Sequence, residues 1–130
     1  MWIFTRYGFY SVACASATDG SLDKETVMVR GRRKDHLQNL RGRFSVISDA
    51  KIITTADNDY RYRLILSKRT WVTILAEMAD EQDWSNFKNE AAAYQGKSGA
   101  AYLTALHEVW ATITACSAEH ARPFACVSVP

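Results

Sequence analysis

The chain is 130 residues long, 48% apolar and 23% charged, with a formal net charge of +2. That length and composition are ordinary for one globular domain, able to bury roughly two-thirds of its unfolded surface without a metal or disulfide staple. The charge is too small to name a polyanionic partner, and Cys14, Cys116 and Cys126 form no CxxC pair and no Cys/His cluster at metal spacing, so no metal or other cofactor is expected.

Trp2 to Ala15 is rich in aromatic and β-branched residues and reads as a first strand, in which Gly8 marks a bulge or a close backbone approach. Ser16 to Lys24 is loop chemistry. Glu25 to Arg32 is a second strand, with Val27 and Val29 on one side, and it pairs with the first as a hairpin. Asp35 is positioned to cap a short helix that turns Leu37, Leu40 and Phe44 inward, with Gly42 weakening its end. Lys51 to Thr55 is a third strand. Asp57-Asn58-Asp59 supplies turn residues that bond their own main chain.

Tyr60, Tyr62, Leu64 and Leu66 then alternate with Arg61, Arg63, Ile65 and Ser67. The period of two gives a fourth strand with one apolar and one mostly basic face. Ser67 is a good N-cap, and Trp71, Ile74, Leu75 and Met78 recur at i, i+3, i+4 and i+7, the stripe of an amphipathic helix. Trp71 is expected to be buried. Glu77, Asp80, Glu81 and Asp83 make the end of this helix acidic, against the helix dipole. Solvent is the reading adopted for them, because exposed ion pairs are worth only ~0–1 kcal/mol.

Asp83 or Ser85 caps the next helix, with Phe87, Ala91 and Tyr94 inward, and Gly96-Lys97-Ser98-Gly99 breaks it. A last helix carries Tyr102, Ala105, Leu106, Val109, Trp110 and Ile113 as an apolar stripe. After Ala115 the pattern dissolves, so residues 1–115 are expected as the domain and residues 116–130 as a loosely held tail or an added edge strand. The element order, strand-strand-helix twice, predicts an α+β fold: an antiparallel four-stranded sheet with helices on one face (ββαββα). It is similar to a circularly permuted ferredoxin-like fold, with C-terminal helices added.

Motifs that carry chemistry are incomplete. His107-Glu108 would need a histidine where Ala111 stands to make a zinc-protease HExxH, and His107 is expected to pack or cap. Gly96-Lys97-Ser98 lacks the leading glycine of a phosphate loop, since position 91 is alanine. No carboxylate spacing fixes an acid/base pair, so no catalytic residue is assigned. Two basic clusters are present, Arg30, Arg32, Arg33, Lys34, Arg41 and Arg43, and Arg61, Arg63, Lys68 and Arg69. They are either splayed into water or face something anionic. Arg6-Tyr7-Gly8-Phe9-Tyr10 is faintly like the base-stacking strand of an RNA-recognition motif. If Tyr7 and Phe9 shared a sheet face with the arginines, stacking and phosphate contacts would combine. Arg30, Arg32, Arg61, Arg63, Tyr7 and Phe9 are therefore the candidate binding residues.

Several stretches resemble a group of small bacterial proteins of uncharacterised function. The opening Met1-Trp2-Ile3-Phe4-Thr5-Arg6-Tyr7-Gly8-Phe9-Tyr10-Ser11 fits their M-W-x-F-T-x-x-G-F-x-S start. Val29-Arg30-Gly31-Arg32, Asp59-Tyr60-Arg61-Tyr62-Arg63, Asp83-Trp84-Ser85-Asn86-Phe87-Lys88 and His107-Glu108-Val109-Trp110 fit further segments. The resemblance spans residues 1–113. It implies a bacterial cytosolic protein and carries no known activity. The chain departs from the group after Trp110, continuing with a Cys- and Pro-containing tail where the group tends to finish.

No signal peptide is visible, since Arg6 and Gly8 interrupt the first apolar run, and no run approaches the ~20 residues of a membrane span. The expected location is the cytoplasm, with no membrane partner. The function expected is a non-catalytic binding or protein-interaction module, working with a protein partner or a second copy of itself. The alternative is binding of RNA or single-stranded nucleic acid through the clusters at 30–43 and 61–69.

Overall fold

The computed structural model describes residues 1–120. In chain order they form β1 (Trp2–Thr5), β2 (Gly8–Ser16), β3 (Leu22–Gly31), α1 (Lys34–Arg43), a 3-10 turn (Ser45–Ile47), β4 (Ile53–Thr54) and β5 (Tyr62–Ser67). Then come α2 (Lys68–Asp80), α3 (Phe87–Gln95), a second 3-10 turn (Gly96–Gly99) and α4 (Ala100–His120). The strands make one sheet in the order β1-β2-β3-β5-β4, antiparallel at every step. The fold is α+β with an open antiparallel sheet.

The sheet has five strands rather than the expected four. The segment from Trp2 to Ala15 is not one strand. It folds back on itself at Arg6-Tyr7, pairing Phe4 with Phe9 and Thr5 with Gly8. Gly8 permits this through a φ of +150°, and a Cβ there would sit 2.6 Å from His36 Cβ and 2.7 Å from His36 Nδ1. The glycine is a close backbone approach and not a bulge. The one register shift between β2 and β3 falls at Cys14/Ala15.

The alternation along the central strands sorts the two sheet faces. Tyr10, Val12, Val27, Val29, Leu64 and Leu66 point to the face that α1 and α2 cover, where Leu37, Leu40, Phe44, Trp71, Ile74 and Met78 complete the main core. Alternate residues point the other way. At the β1–β2 corner Phe4 and Phe9 meet Phe87, Ala91, Tyr102, Leu103 and Leu106 of α3 and α4 in a second, smaller cluster. The two helices of the ββαββα unit thus share one face, as expected, and the two C-terminal helices pack at the β1–β2 corner against the other. β4 is shorter than expected, only Ile53–Thr54, and β5 begins at Tyr62.

Ser67 caps α2 as expected, accepting from the Thr70 N–H at 3.1 Å. Two other expected caps differ. Asp35 lies inside the first turn of α1, whose cap is Arg33 with no side-chain bond. Asn86 caps α3 by accepting from Asn89 N–H at 3.0 Å, in place of Asp83 or Ser85. The stripe of α4 is only half used: Tyr102 and Leu106 are buried, whereas every residue from His107 to Ser117 is exposed. Helix also continues past Ala115, to His120. The rest of the expected tail, residues 121–130, lies outside the described residues.

Trp71 is 4% exposed, in the main core. Trp71→Ala is expected to cost ~3–5 kcal/mol, as large aromatic truncations do, against a net stability of ~5–15 kcal/mol for a domain. Lys97→Ala, in the exposed turn before α4, should be within ~0.5 kcal/mol of the parent. Urea unfolding of the two variants side by side checks both values.

Candidate functional site

The turn between β1 and β2 is where the helices converge. Its four consecutive carbonyls each meet a side chain. Tyr102 O–H of α4 donates to Thr5 O at 2.8 Å, and Gln95 Nε2 of α3 donates to Arg6 O at 2.9 Å. Asn39 Nδ2 of α1 donates to Tyr7 O at 3.0 Å, and Thr5 Oγ1 to Gly8 O at 2.9 Å. Thr5, Tyr7 and Gly8 are buried, so these oxygens would otherwise be costly. Burial and the Glu81 hydrogen bond raise the Tyr7 hydroxyl above the ordinary tyrosine pKa.

The Arg6 side chain extends this hub outward. It donates to Glu90 Oε1 at 2.6 Å and pairs with Glu81 Oε2 at 3.3 Å. It also donates to Tyr7 Oη at 3.0 and 3.1 Å, and its guanidinium lies 5.0 Å from the centre of the Trp84 ring. Glu81 accepts from Tyr7 O–H and pairs with Arg43 at 2.8 Å. Burial alone lowers the Arg6 pKa, but bonds to Glu90 and Tyr7 outweigh it and hold the guanidinium above its ordinary value. The acidic end of α2 is thus not wholly in solvent. Glu77, Asp80 and Asp83 are exposed, but Glu81 is held between two arginines. A cavity of about 220 Å³ beside this network is lined by Arg6, Tyr7, Glu81, Trp84 and apolar residues of β1 and α2. With two arginines against two glutamates all paired, the network is a structural clasp.

A broad concave surface lies between β1, α3 and the exposed half of α4. It encloses about 610 Å³ between Trp2, Phe4, Phe87, Lys88, Val109 and Trp110. Trp2 is 70% exposed, Trp110 60% and Ile113 62%. Lys88 Nζ sits 4.9 Å from the Trp110 ring centre and 3.4 Å from His107 Nδ1. His107 is therefore exposed and neither packed nor capping.

The six residues singled out in the sequence do not form one site. Tyr7 is buried against Phe44 and Tyr94. Phe9 stacks on Phe4 at 4.7 Å in the second cluster. They share no exposed face. The arginines do gather: Arg30 and Arg63 are register partners in β3 and β5, on the face away from the main core. Arg30 and Arg32 both lie 5.1 Å from the Tyr60 ring centre. Arg30 also bonds Ser11 Oγ at 2.9 Å, and Arg32 pairs with Asp59 at 3.1 Å. Arg61 is exposed. The sequence reading missed Trp2 and Trp110. The available signal was the length of the apolar stripe, which runs from Tyr102 to Ile113, about 16 Å along a helix, more than the small second cluster covers.

Among the described residues no group of three His, Cys, Asp or Glu is placed to hold a metal ion, and no helix is long and apolar enough to cross a membrane. In comparisons with known proteins, no family model, no curated protein and no solved structure matches the chain.

Arg6→Ala should destabilise the fold by about 2–3 kcal/mol, less than the ~3–5 of a fully buried pair, because 20% of its side chain still meets solvent. A loss under ~0.5 kcal/mol in urea unfolding, the level of a surface pair, would show that the clasp contributes little. A second expectation concerns His36. Burial lowers its pKa, assisted by Arg33 and opposed by Asp35. The unfolded chain therefore takes up this proton more readily, and stability should fall as pH drops through the ordinary histidine value of about 6.5. The decrease in melting temperature from pH ~7.5 to ~5.5 should be smaller in His36→Phe. Equal decreases would rule the contribution out.

Proposed function

We infer that this chain is a small, non-catalytic interaction module that acts through pairing of its last helix with a second copy of itself. The observation that carries the reading is the uncovered stripe of α4. Val109, Trp110 and Ile113 continue the line of Tyr102 and Leu106 into solvent, directly beside the Trp2–Trp110 groove. A helix end with an apolar face gains most of its stability from packing, and exposed patches of this kind mark interaction surfaces. The second copy is favoured as occupant on two grounds. Ridge and groove sit side by side on one chain, the arrangement that a two-fold isologous contact needs. From Glu108 to Ser117 the helix carries one charge, Glu108, so two such surfaces meet without appreciable repulsion.

The sequence resemblance to small bacterial proteins supports placing this module in a bacterial cytosol. The order β2-β3-β5-β4 with α1 and α2 over one face supports a permuted ferredoxin-like core to which β1 adds an edge strand. A second reading, binding of RNA or single-stranded nucleic acid, draws on one observation. Arg30, Arg32 and Arg63 converge around Tyr60 at one end of the sheet, with exposed Arg61 adjoining.

Sedimentation or light scattering of the 14.6 kDa chain should give a dimer mass at micromolar concentration. Trp110→Glu and Ile113→Glu should each return a monomer of unchanged circular dichroism. A wild-type monomer at ~0.1 mM would overturn the pairing, as would a dimer unaffected by both changes. A chain ending at residue 120 separates self-covering by residues 121–130 from pairing, since only self-covering predicts a mass that rises on truncation. For the second reading, affinity for single-stranded RNA should fall steeply between ~0.05 and ~0.2 M salt, and no binding at the lower salt would remove it.

A further inference from the structure

A separate small cavity of about 180 Å³ opens between the β1–β2 corner, the start of α1 and the first turns of α4. Its wall is Phe4, Phe9, His36 and Tyr102, and Ala101 and Ala105 leave it room. Arg32 and Arg33 complete the lining, with side chains 58% and 46% exposed. An apolar cavity of ~150 Å³ is large enough for a benzene ring, so one aromatic ring or a branched aliphatic group fits here.

His36 is 5% exposed, and its two ring nitrogens are in different situations. Nδ1 accepts from the Phe9 N–H at 3.3 Å, so it carries no proton and the neutral ring is protonated at Nε2. The Cβ, Cγ and Nδ1 side of the ring is seated on Gly8. Nε2 lies across the ring from Cγ, away from the edge seated on Gly8. That atom is buried and has no hydrogen-bond partner. Its nearest aromatic neighbour is the Tyr102 ring, whose centre is 4.9 Å from that of His36 at 63°. The Tyr102 hydroxyl is committed to Thr5 O. A buried donor left unmet is costly, and a ligand acceptor would recover that cost.

We propose that this cavity binds a small monocarboxylate with an aromatic or branched apolar body, the carboxylate accepting from His36 Nε2–H and the body lying among Phe4, Phe9 and Tyr102. The arginines explain the preference for an anion. Arg33 is paired with Asp35 at 2.7 Å and Arg32 with Asp59 at 3.1 Å. Both pairs are exposed, worth only ~0–1 kcal/mol each, so either guanidinium can turn to an incoming carboxylate. The site adjoins the α4 groove, sharing Phe4 with it, but its other lining residues differ, so it does not depend on dimer formation.

Sodium benzoate is the probe, titrated into the full chain while histidine-ring nitrogen and aromatic resonances are followed by NMR. The expected result is a saturable shift of His36 Nε2 with movement of Phe9 and Tyr102. Benzamide should bind more weakly, and acetate, lacking the apolar body, weaker still. His36→Phe keeps the ring volume without the donor and should weaken benzoate about tenfold or more. Ala105→Leu narrows the cavity from α4 without touching the His36 ring, and should abolish the shifts even if His36→Phe folds poorly. No saturable shift up to ~10 mM benzoate would overturn the proposal and leave Nε2–H resting on the Tyr102 ring. Benzoate binding that survives Ala105→Leu unchanged would overturn it too, since the ligand would then sit elsewhere.

Discussion

The turn from Thr5 to Gly8 is the constraint on which the other elements depend. A tight turn between paired strands directs its carbonyls outward, and when it is buried each must find a donor. Here the donors come from α1, α3, α4 and the turn itself. Three helices distant in sequence are thereby fixed to one point. Gly8 makes the arrangement sterically feasible, because only a residue without a Cβ lets the His36 ring approach the backbone there. Arg6 adds the charged layer, tying Glu81 after α2 to Glu90 in α3, 84 positions away from it in sequence.

This hub also explains why the two ends of α4 differ. Near Tyr102 the helix is anchored by a hydrogen bond and by the small Phe4–Phe9 cluster. Past Leu106 the Lys88 side chain meets His107 and Trp110, but the helix is exposed there and its apolar stripe faces water. Burial of apolar area is worth roughly 25 cal/mol per Å², so two exposed tryptophans and their aliphatic neighbours represent a considerable unspent driving force for association.

The arginines illustrate the same division. A cluster of like charges in sequence suggests an anionic partner, but most of these side chains find partners within the fold. Arg43 meets Glu81, Arg33 meets Asp35, Arg32 meets Asp59, Arg41 donates to Ala50 O, and Arg30 bonds Ser11 and packs on Tyr60. Three of these contacts are to carboxylates, whereas Arg41 and Arg30 keep their charge while bonding neutral groups.

Local pattern determined a good deal of this protein. The period-two alternation of Tyr62–Ser67 and the i, i+3, i+4, i+7 spacing of Trp71, Ile74, Leu75 and Met78 depend on backbone geometry alone, and both elements stand where that spacing puts them, with Ser67 as the cap. The α+β class and the inward residues of α1 follow for the same reason. The division of the first segment into β1 and β2 was not legible, because Arg6-Tyr7 carries no ordinary turn signal and the fold imposes the turn through donors from three helices. Nor could periodicity show which part of the α4 stripe is covered, since a stripe records amphipathicity and not what lies opposite it. The placements of Tyr7 in the core, Glu81 between two arginines, and His36 with an unmet donor beside a cavity were likewise decided by tertiary structure. Each depends on contacts between residues far apart in the chain, and such contacts leave no mark in local spacing.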